Sequence, residues 1–408
     1  MDSKNQNYDV CVVGGGPAGI IAAILSKNQT NRVCLIEKNK SLGKKLLLTG
    51  KGRCNLTQKN FSIEKFGKNG KFLFQANQTF PVKKILEFFD KINIKTKLER
   101  GGRYFPQKES AKFVLDTLKK ELTKKKIDIY YQSKVKKIQI NHHKIEAVKT
   151  KHHKIEAQKF VLATGGKSYP QTGSNGEMFE LLKETSHKII KPRPVLVPIK
   201  IKNPWIKHLK GLSLKNVTLN VFLNNKKKFS YFGEMIFTHF GISGPIVLNA
   251  SRDLIDLEKE NISLYLDLKP ALDFQTLDKR IQKDFQKYNN KHYRNTLSDL
   301  LPQKIIPTVI KLSEINPNLK AHSIPKAQRK NLTNLLKNFK LEFDSLLGFD
   351  QAIVTRGGIS LKEVDPKTLR SKKIKNLFFA GEILDLDGPS GGYNLTMCFQ
   401  TACLAAKK

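Results

Sequence analysis

The chain has 408 residues, of which 39% are apolar and 27% are charged. That composition is typical of a folded globular protein and excludes general disorder, and the length suffices for two or three domains. Lysine and arginine outnumber aspartate and glutamate by 74 to 35, which gives a formal net charge of +39. Coding bias alone would enrich lysine without making acidic residues scarce. A protein this basic is expected to meet polyanions, of which RNA is the most abundant.

Targeting and metal-binding signals are absent from the sequence. No apolar run is long enough to span a membrane, and the N-terminal residues contain no apolar signal core. The five cysteines are scattered and show no CxxC spacing, which argues against a disulfide scaffold and against a zinc site. We therefore expect a cytoplasmic protein without a membrane partner and without a metal.

Residues 8–37 predict a βαβ unit. Apolar strands are predicted at Tyr8–Val13 and Val33–Ile36, with a helix of small apolar residues at Ile20–Ser26 between them. The turn before the helix reads GGGPAG and matches the pattern G-x-G-x-x-G. Its members are Gly14, Gly15, Gly16, Pro17, Ala18 and Gly19.

Each part of this unit has a task in binding a dinucleotide. Gly14 permits the tight turn, Gly16 lets backbone amides approach a pyrophosphate, and Gly19 lets the helix lie close to the strand. The helix N-terminus then presents its amides to the phosphates. Glu37 follows the second strand, where an acid accepts hydrogen bonds from the ribose hydroxyls and favours FAD or NAD over NADP.

Two later segments favour FAD. Phe160–Ala163 predicts a strand that runs into Thr164-Gly165-Gly166, and Asn376–Ala380 predicts another that runs into Gly381-Glu382. Strands that end in glycine at one sheet edge suit a cofactor as extended as FAD. A second G-x-G-x-x-G does not occur in the sequence, so NAD(P)H stays open only as a transient electron donor.

The middle of the chain differs in character from both ends. β-rich segments such as Val217–Leu223 and Ile262–Leu268 follow a proline-punctuated stretch, and polar helices are predicted at Thr276–Lys287 and Lys326–Phe339. The glycine-rich, strand-to-helix style returns from Gln351 onward. We predict a Rossmann-like FAD-binding domain at 1–192 and 351–408, a β-rich inserted domain at 193–270 with part of 335–350, and a helical inserted domain at 271–334.

The loop at 49–57 reads TGKGRCNLT and is the first candidate site for chemistry. Gly52 allows a close approach to an anion or a ring, Arg53 supplies a cation and Asn55 supplies a side-chain amide. Cys54 lies between them, where positive charge would lower the pKa of its thiol. The alternative is that the loop only wraps the cofactor and that Cys54 is a small packed residue.

The run at 381–395 reads GEILDLDGPSGGYNL and is the second candidate. Gly391 and Gly392 precede a helix of small residues that extends to Ala406. The positive end of such a helix would stabilise the negative charge that gathers on a reduced isoalloxazine ring. A plain glycine-capped helix does not explain why acids and glycines crowd into this run.

Together these motifs resemble the HI0933-like family of flavoproteins, often described as aminoacetone oxidase family FAD-binding enzymes. The resemblance covers nearly the whole chain. It rests on GGGPAG (14–19), TGKGRCNLT (49–57), GGRYFP (101–106), LATGGKSYPQTGSNG (162–176), GEMIFTHFGISGP (233–245) and FFAGEILDLDGPSGGYN (378–394). It implies an α/β fold in which a Rossmann-like FAD-binding domain carries inserted β-barrel-like and helical subdomains.

The resemblance also implies which residues contact FAD. Contacts are expected from the dinucleotide turn and from the loops described above. The full set is Gly14, Gly15, Gly16, Pro17, Ala18, Gly19, Glu37, Lys38, Gly52, Arg53, Asn55, Thr164, Gly381, Glu382, Gly392, Tyr393 and Asn394.

Activity within the family is less uniform than its fold. Some relatives are regarded as reductases of steroid-like enones, the oxidase label is inherited, and bacterial members are understood to reduce a uridine of 23S ribosomal RNA to dihydrouridine. Residues 191–231 hold ten lysines or arginines and residues 38–63 hold seven, with no acid in either segment. An RNA backbone explains that excess, whereas a small steroid or amine does not. RNA contacts are expected from Lys200, Lys202, Lys207, Lys210, Lys226, Lys227 and Lys228.

The sequence thus favours an FAD-dependent ribosomal RNA dihydrouridine synthase with 23S ribosomal RNA as its partner. Hydride transfer to C6 of uracil leaves C5 to be protonated, and Cys54 is the candidate acid by position and type. The uracil must leave its stack to reach the flavin. Base-stacking candidates are Tyr104, Phe105, Tyr231, Phe232 and His239. The rivals are a small-molecule flavin oxidoreductase of the enone reductase or amine oxidase type, and a non-catalytic FAD-bearing RNA-binding factor.

Overall fold

A computed structural model of the chain describes residues 4–258 and 260–407. The chain divides into two compact units, Met1–Val195 with Phe349–Lys408 and Leu196–Gly348. Each unit has a hydrophobic core of its own. The second unit holds both the β-rich and the helical segments, and its further division into two subdomains stays a prediction.

The first unit begins with alternating strands and helices. The strands are β1 (Lys4–Val13), β2 (Val33–Ile36), β3 (Thr57–Gln58), β4 (Thr96–Glu99), β5 (Arg103–Pro106), β6 (Asp128–Tyr130), β7 (Lys137–Asn141), β8 (Lys144–Lys149), β9 (His153–Leu162) and β10 (Ile189–Val195). The helices are α1 (Pro17–Ser26), α2 (Phe74–Thr79), α3 (Val82–Lys91), α4 (Ala111–Lys124) and α5 (Glu177–Lys183).

The second unit follows, and the chain then returns to the first. The strands of the second unit are β11 (Ile199–Ile201), β12 (Ser213–Leu223), β13 (Lys226–Phe237), β14 (Gly241–Ser243), β15 (Ile262–Asp267), β16 (Phe339–Leu341) and β17 (Phe343–Leu346). Its helices are α6 (Pro245–Leu254), α7 (Phe274–Lys287), α8 (Ile306–Ser313) and α9 (Lys326–Lys337). The C-terminal part of the first unit contains β18 (Val354–Ile359), β19 (Leu377–Phe379) and α10 (Tyr393–Ala406).

The main sheet of the first unit brings three glycine-bearing loops to one edge. Its strand order is β6-β2-β1-β9-β8-β7, and β19 also pairs with β9. β1, β2, β6, β9 and β19 run parallel to their neighbours in this group, and β8 joins β7 and β9 in antiparallel pairs. The carboxyl ends of parallel strands share an edge, so the loops after β1, β9 and β19 lie together. The α/β class with a Rossmann-like domain is therefore confirmed.

Helix α1 connects β1 to β2 and is buried on nearly every side. Pro17 occupies its first turn, where the missing amide costs no hydrogen bond, and the residues from Ala18 to Ile24 are buried. Its glycine and alanines let it pack closely between the sheet and α10, and its buried isoleucines fill the core around it. The sequence of β2, four consecutive buried apolar residues, is likewise typical of a parallel strand covered on both faces.

The second unit is built on an antiparallel sheet. Its strand order is β16-β15-β12-β13-β14-β11-β17. One face carries Leu219, Val221, Leu264 and Leu266 into a core to which α6–α9 also contribute. No helix among residues 4–258 and 260–407 is long and apolar enough to cross a membrane.

Candidate functional site

Gly14 and Gly19 are glycines that the protein itself requires. Gly14 has φ +107°, and a Cβ there would lie 2.5 Å from the carbonyl oxygen of Ala163. A Cβ on Gly19 would lie 1.8 Å from the carbonyl oxygen of Gly14. These contacts let α1 pack closely against the turn, as the G-x-G-x-x-G pattern predicts.

Gly16 is different, because the space around it is open. A Cβ on Gly16 would meet no atom of the described residues within 4 Å. Its φ of −80° is one that any residue adopts, and it is the N-cap of α1. Open space at the N-terminus of a buried helix fits a pyrophosphate, which would accept hydrogen bonds from backbone amides and favourable interaction with the helix dipole.

Glu37 lies at the end of β2, and neighbouring groups hold its carboxylate in place. Its Oε2 accepts a hydrogen bond from the Gly15 amide at 2.8 Å, and its Oε1 accepts bonds from the backbone and side-chain nitrogens of Asn39 at 2.7 Å each. A carboxylate offers about four acceptor sites, so capacity remains for ribose hydroxyls. Lys38 is turned away from this carboxylate and donates to Asn175 at 2.8 Å and to Glu177 at 3.1 Å.

The loop at 49–55 has an unusual backbone. Gly50, Lys51 and Gly52 have φ of +58°, +58° and +84°, and Cys54 has φ +64°. A Cβ on Gly52 would meet nothing within 4 Å among the described residues. Non-glycine residues with positive φ are uncommon and are held there by surrounding structure.

The environment of Cys54 differs from the one expected. Its side chain is fully buried, and burial raises the pKa of its thiol to about 12. The expectation of a lowered pKa was wrong because burial disfavours the thiolate. The Arg53 guanidinium pairs with Glu99 and with Glu109, the latter at 3.1 Å, and lies 4.1 Å from the ring centroid of Phe105.

Several polar atoms near these loops are buried without a protein partner. Among the described residues, the Asn55 Oδ1, the Thr164 Oγ1 and the Arg53 Nε have no hydrogen-bond partner. A buried polar group left unpaired costs about 1–3 kcal/mol. FAD contacts are expected from all three residues. Arg53 and Asn55 lie within the loop at 49–57, and Thr164 lies just after the end of β9. Their unpaired atoms, with the open space at Gly16 and Gly52, fit an extended ligand that carries its own donors and acceptors.

The C-terminal loop supplies further close approaches. Gly381 has φ +76°, its amide donates to the Thr401 hydroxyl at 2.9 Å, and a Cβ there would lie 2.7 Å from the Cβ of Ala18. Gly392 is the N-cap of α10 with φ +107°, and a Cβ there would lie 2.7 Å from the carbonyl carbon of Thr57. The N-terminus of α10 therefore lies against the 49–57 loop.

Tyr393 and Asn394 brace this loop. The Tyr393 ring is buried beside Phe61, with ring centroids 5.6 Å apart. The Asn394 side chain accepts a bond from the Gly388 amide at 2.8 Å and donates to the Gly388 carbonyl at 3.0 Å. The polar atoms of Asn394 are thus used within the protein to hold the glycine-rich turn.

Glu382 is the centre of a polar network that the sequence did not reveal. Its Oε2 accepts a bond from Lys45 at 2.7 Å, and its Oε1 accepts bonds from the Ser168 hydroxyl at 2.7 Å and the Thr355 amide at 2.8 Å. Lys45 also donates to Ser168 at 2.5 Å. Lys45 lies four residues before Thr49, the first residue of the TGKGRCNLT loop, and Ser168 lies within the LATGGKSYPQTGSNG motif. These positions near and within motifs were the available signal.

The seven lysines from which RNA contacts are expected all lie in the second unit. All are exposed, and Lys200 forms an ion pair with Asp344 at 3.0 Å. They form two groups. Lys226–Lys228 begin β13, whereas Lys200 lies on β11, which joins the other end of β13 through β14. Twelve residues of β13 span about 35–40 Å at the usual rise per residue, so the seven lysines do not form one compact patch.

The base-stacking candidates differ widely in exposure. Phe105 is buried, and the Tyr231 hydroxyl donates to Asp253 at 2.6 Å. His239 packs against Phe240, with ring centroids 4.8 Å apart. Phe232 is 64% exposed. Within the described part of the chain, no group of three or more His, Cys, Asp or Glu residues could hold a metal ion.

Comparison with known proteins agrees with this geometry. The HI0933-like protein Rossmann domain family matches residues 8–408. The 3-dehydro-bile acid delta(4,6)-reductase of Clostridium scindens is 30% identical over 401 residues, 97% of each chain. The ribosomal RNA dihydrouridine synthase of Escherichia coli K12 is 26% identical over 98% of each chain.

A solved structure shares the fold. The 3-ketosteroid delta1-dehydrogenase of Sterolibacterium denitrificans is 12% identical over 98% of each chain, with a TM-score of 0.53. The expected FAD cofactor is confirmed by the family match, and the loops at Gly16, Gly52, Asn55 and Thr164 fit it. The chain therefore belongs to the HI0933-like family and is an FAD-dependent oxidoreductase.

Proposed function

We propose that the protein reduces a uridine of 23S ribosomal RNA to dihydrouridine. The observation that carries this proposal is the set of exposed lysines in the second unit, within a segment of ten basic residues and no acid. Lysines of this kind neutralise phosphates, and an uncharged or monoanionic small substrate would not require them. Relatives named ribosomal RNA dihydrouridine synthase, 26% identical over the full length, support the same substrate class.

Reduction of uracil adds a hydride to C6 and a proton to C5, and the C5–C6 double bond becomes a single bond. Bound FAD in its reduced form supplies the hydride, and we propose NAD(P)H as the transient donor that reduces it. The turn at 14–19 and Glu37 would hold the adenosine diphosphate part of the cofactor. The loops at 49–55, 164–166 and 381–394 would hold the remainder.

We propose Cys54 as the proton donor to C5. Support comes from its position between Arg53 and Asn55, in a loop from which FAD contacts are expected. Burial raises the pKa of the thiol to about 12, so the thiol carries a proton at neutral pH but is a weaker acid than an exposed cysteine. Its side chain is fully buried, so a direct contact with uracil requires the 49–55 loop to change conformation when RNA binds.

A small-molecule reductase is the second candidate. It is favoured by the relative named 3-dehydro-bile acid delta(4,6)-reductase, which is 30% identical over 97% of both chains. That chemistry also adds a hydride and a proton across a polarised double bond, so the same flavin site would serve it. It does not account for the basic surface of the second unit.

The deciding experiment is nucleoside mass spectrometry of 23S ribosomal RNA from cells with and without the gene. We expect dihydrouridine to disappear on deletion and to return with the wild-type gene. A Gly16→Val gene serves as the matched control, because it should produce folded protein without FAD. Unchanged dihydrouridine in the deletion strain would exclude the ribosomal RNA substrate and leave the small-molecule candidate.

A further inference from the structure

The outer face of the second sheet carries three aromatic rings. Alternation along β12, β13 and β15 places Leu219, Val221 and Leu264 on the core side and their neighbours on the opposite side. This opposite side, here called the aromatic face, is defined by its side chains. They are Thr218, Asn220, Phe222, Lys227, Ser230, Phe232, Glu234, Ser263, Tyr265, Asp267 and Lys340.

Contacts between these side chains verify that they share one face. The Ser230 hydroxyl donates to the Asn220 Oδ1 at 2.9 Å across β12 and β13. The rings of Phe222 and Tyr265 meet edge to face across β12 and β15, with centroids 5.1 Å apart. Phe232 lies opposite Thr218 on the neighbouring strand.

The rings of this face are accessible to a partner. Phe232 is 64% exposed, and Phe222 and Tyr265 are half-buried. The Phe232 ring is not buried in the free protein although it lies in mid-strand. The neighbouring side chains of Thr218 and Ser230 are small and polar and leave the ring uncovered. Aromatic rings on an open sheet are a common platform on which unpaired bases stack.

The charged residues around these rings indicate the chemistry of the partner. Lys227 lies opposite Phe222 and Lys340 lies opposite Tyr265, and the flanking Lys226 and Lys228 are exposed at the same end of the sheet. The strands β12, β13, β15 and β16 contain two acidic residues, of which Asp267 is paired with Lys337 at 2.6 Å. The other, Glu234, lies beyond Phe232 at the end away from the lysine run. Rings flanked by lysines complement bases joined by phosphates.

We propose that the aromatic face binds single-stranded RNA, with bases stacked on Phe232 and on the Phe222–Tyr265 pair and with phosphates at Lys227 and Lys340. The proposal rests on the proposed function, for which it identifies a docking surface on the second unit. A-form duplex RNA is excluded as the preferred ligand because its bases are already stacked and face inward. The face thus selects an unpaired segment of RNA, as reduction of an unstacked uridine requires.

The test compares Phe232→Ala with Phe74→Ala, a matched control that removes another exposed phenylalanine, 56% exposed, from the first unit. Binding of a fluorescent twelve-nucleotide oligouridine and of a hairpin duplex of equal charge is measured by anisotropy in the FAD-loaded protein. We expect Phe232→Ala to weaken oligouridine binding by about 5- to 150-fold, the range for losing one stacking ring, with the salt dependence unchanged. Phe74→Ala should bind oligouridine as tightly as the wild type does. Neither variant should change the binding of the duplex.

A second measurement guards against misfolding and against a different occupant. Ultraviolet cross-linking of 5-iodouridine RNA, followed by peptide mass spectrometry, should label β12, β13 or β15 in the wild type. Oligouridine binding that is equal in wild type and Phe232→Ala, or cross-links confined to the first unit, would overturn the proposal. So would a wild-type dimer that Phe232→Ala converts to a monomer, because the face would then join two copies of the chain.

Failure of this inference is distinguishable from failure of the proposed function. If 23S ribosomal RNA loses dihydrouridine on deletion while Phe232→Ala binds and reacts normally, the substrate is right and the docking surface is wrong. If Phe232→Ala weakens RNA binding while deletion leaves dihydrouridine unchanged, the surface is right and the reaction is wrong.

Discussion

Individual glycines in the dinucleotide turn serve two different purposes. Gly14 and Gly19 make room for the backbone of the protein itself, since a Cβ on either would meet a carbonyl oxygen at 2.5 Å or less. Gly16 makes room for something else, because its Cβ would point into space that the described residues leave open. Substitution of Gly14 or Gly19 therefore tests folding, whereas substitution of Gly16 tests the ligand.

We predict that Gly16→Val removes FAD without destabilising the protein. Its φ of −80° suits valine, and apart from the adjoining residues of the chain no described atom lies within 4 Å of the new Cβ. The valine side chain would therefore compete chiefly with the pyrophosphate. The FAD content of purified protein, read from its visible absorbance, should fall by at least tenfold, with the apoprotein unfolding midpoint in urea within error of the wild-type apoprotein. Gly348→Val is the control, since Gly348 is exposed and also has open space around it. Equal FAD content in both variants would contradict this role.

A substitution at Cys54 tests whether its thiol is the proton donor. If its thiol protonates C5, Cys54→Ser should bind FAD and accept electrons normally, yet reduce uridine more slowly by roughly 10²–10⁴-fold, the usual loss for a general acid. The readout is single-turnover oxidation of the reduced enzyme by an rRNA fragment. Turnover per flavin within a few-fold of wild type, accompanied by altered FAD retention, would show instead that Cys54 packs beside the cofactor.

His187 makes stability depend on pH. Its ring is buried between the hydroxyls of Thr185 at 2.5 Å and Ser371 at 2.7 Å, and burial lowers its pKa from 6.5 to about 4. Between these values the unfolded chain binds a proton that the folded chain does not, so stability is lost as the pH falls. The loss from pH 7 to pH 5 should be about 2 kcal/mol. Urea unfolding of His187→Gln should show a pH dependence smaller by that amount; identical curves for both proteins would contradict it.

At the scale of elements, the sequence predicted where helices and strands lie in the chain, but it predicted their first and last residues less well. β2 has the predicted bounds, and α10 ends at Ala406 as expected. α7 begins at Phe274 rather than Thr276, because the Asp273 carboxylate accepts a bond from the Thr276 amide at 2.7 Å and caps the helix two residues earlier. Such a cap depends on the rotamer of one side chain, and the spacing of apolar residues along the sequence does not show that rotamer.

Helix α9 shows the opposite error. It ends at Lys337 rather than Phe339, since Phe339 begins β16 and pairs with Leu266 of β15. The helical pattern continues into this strand because Phe339 is apolar in either structure. The helix therefore ends before Phe339 because this residue pairs with β15, a strand more than seventy residues earlier in the chain.

The lysine run at the start of β13 carries a prediction at this scale. Lys226, Lys227 and Lys228 are all exposed, so changing all three to Glu should leave FAD content and stability unaltered. It should weaken RNA binding and flatten the slope of log K against log salt by about 0.7 for each phosphate that is no longer neutralised. The run Lys124–Lys126, changed in the same way, is the control for net charge. If both triple variants alter the slope equally, the β13 run has no special part in RNA binding.

For the whole molecule, the parts of the site that the sequence missed are those joined over long distances. Lys45 and Glu382 are 337 positions apart, and nothing local marks them as an ion pair. The ion pairs of Arg53 are another example, because Glu99 and Glu109 reach its guanidinium from β4 and from the turn after β5. Motifs within one loop, such as the turn at 14–19, were predictable because their geometry is fixed by neighbours in the chain.

The net charge of +39 is a property of the whole molecule that separates the two candidate substrates. Counterions released from RNA phosphates make binding fall steeply with salt, whereas a small enone with at most one charge releases few. The hydride-transfer site is common to both reactions, so the salt dependence reports only how each substrate is held. The same preparation of reduced enzyme can therefore be tested against both.

We predict that kcat/KM for an unfolded rRNA fragment is strongly salt-dependent and that any activity toward a steroid enone is not. If six of the lysines in the second unit each meet one phosphate, raising monovalent salt from about 50 to about 200 mM should lower kcat/KM for RNA about 300-fold, from a slope near −4. Oxidation of the reduced flavin, followed by stopped-flow absorbance, measures both rates. Ionic-strength controls with an uncharged enone correct for effects of salt on the flavin itself. A flat salt response with RNA, or a faster reaction with the enone at every salt concentration, would assign the enzyme to small-molecule reduction.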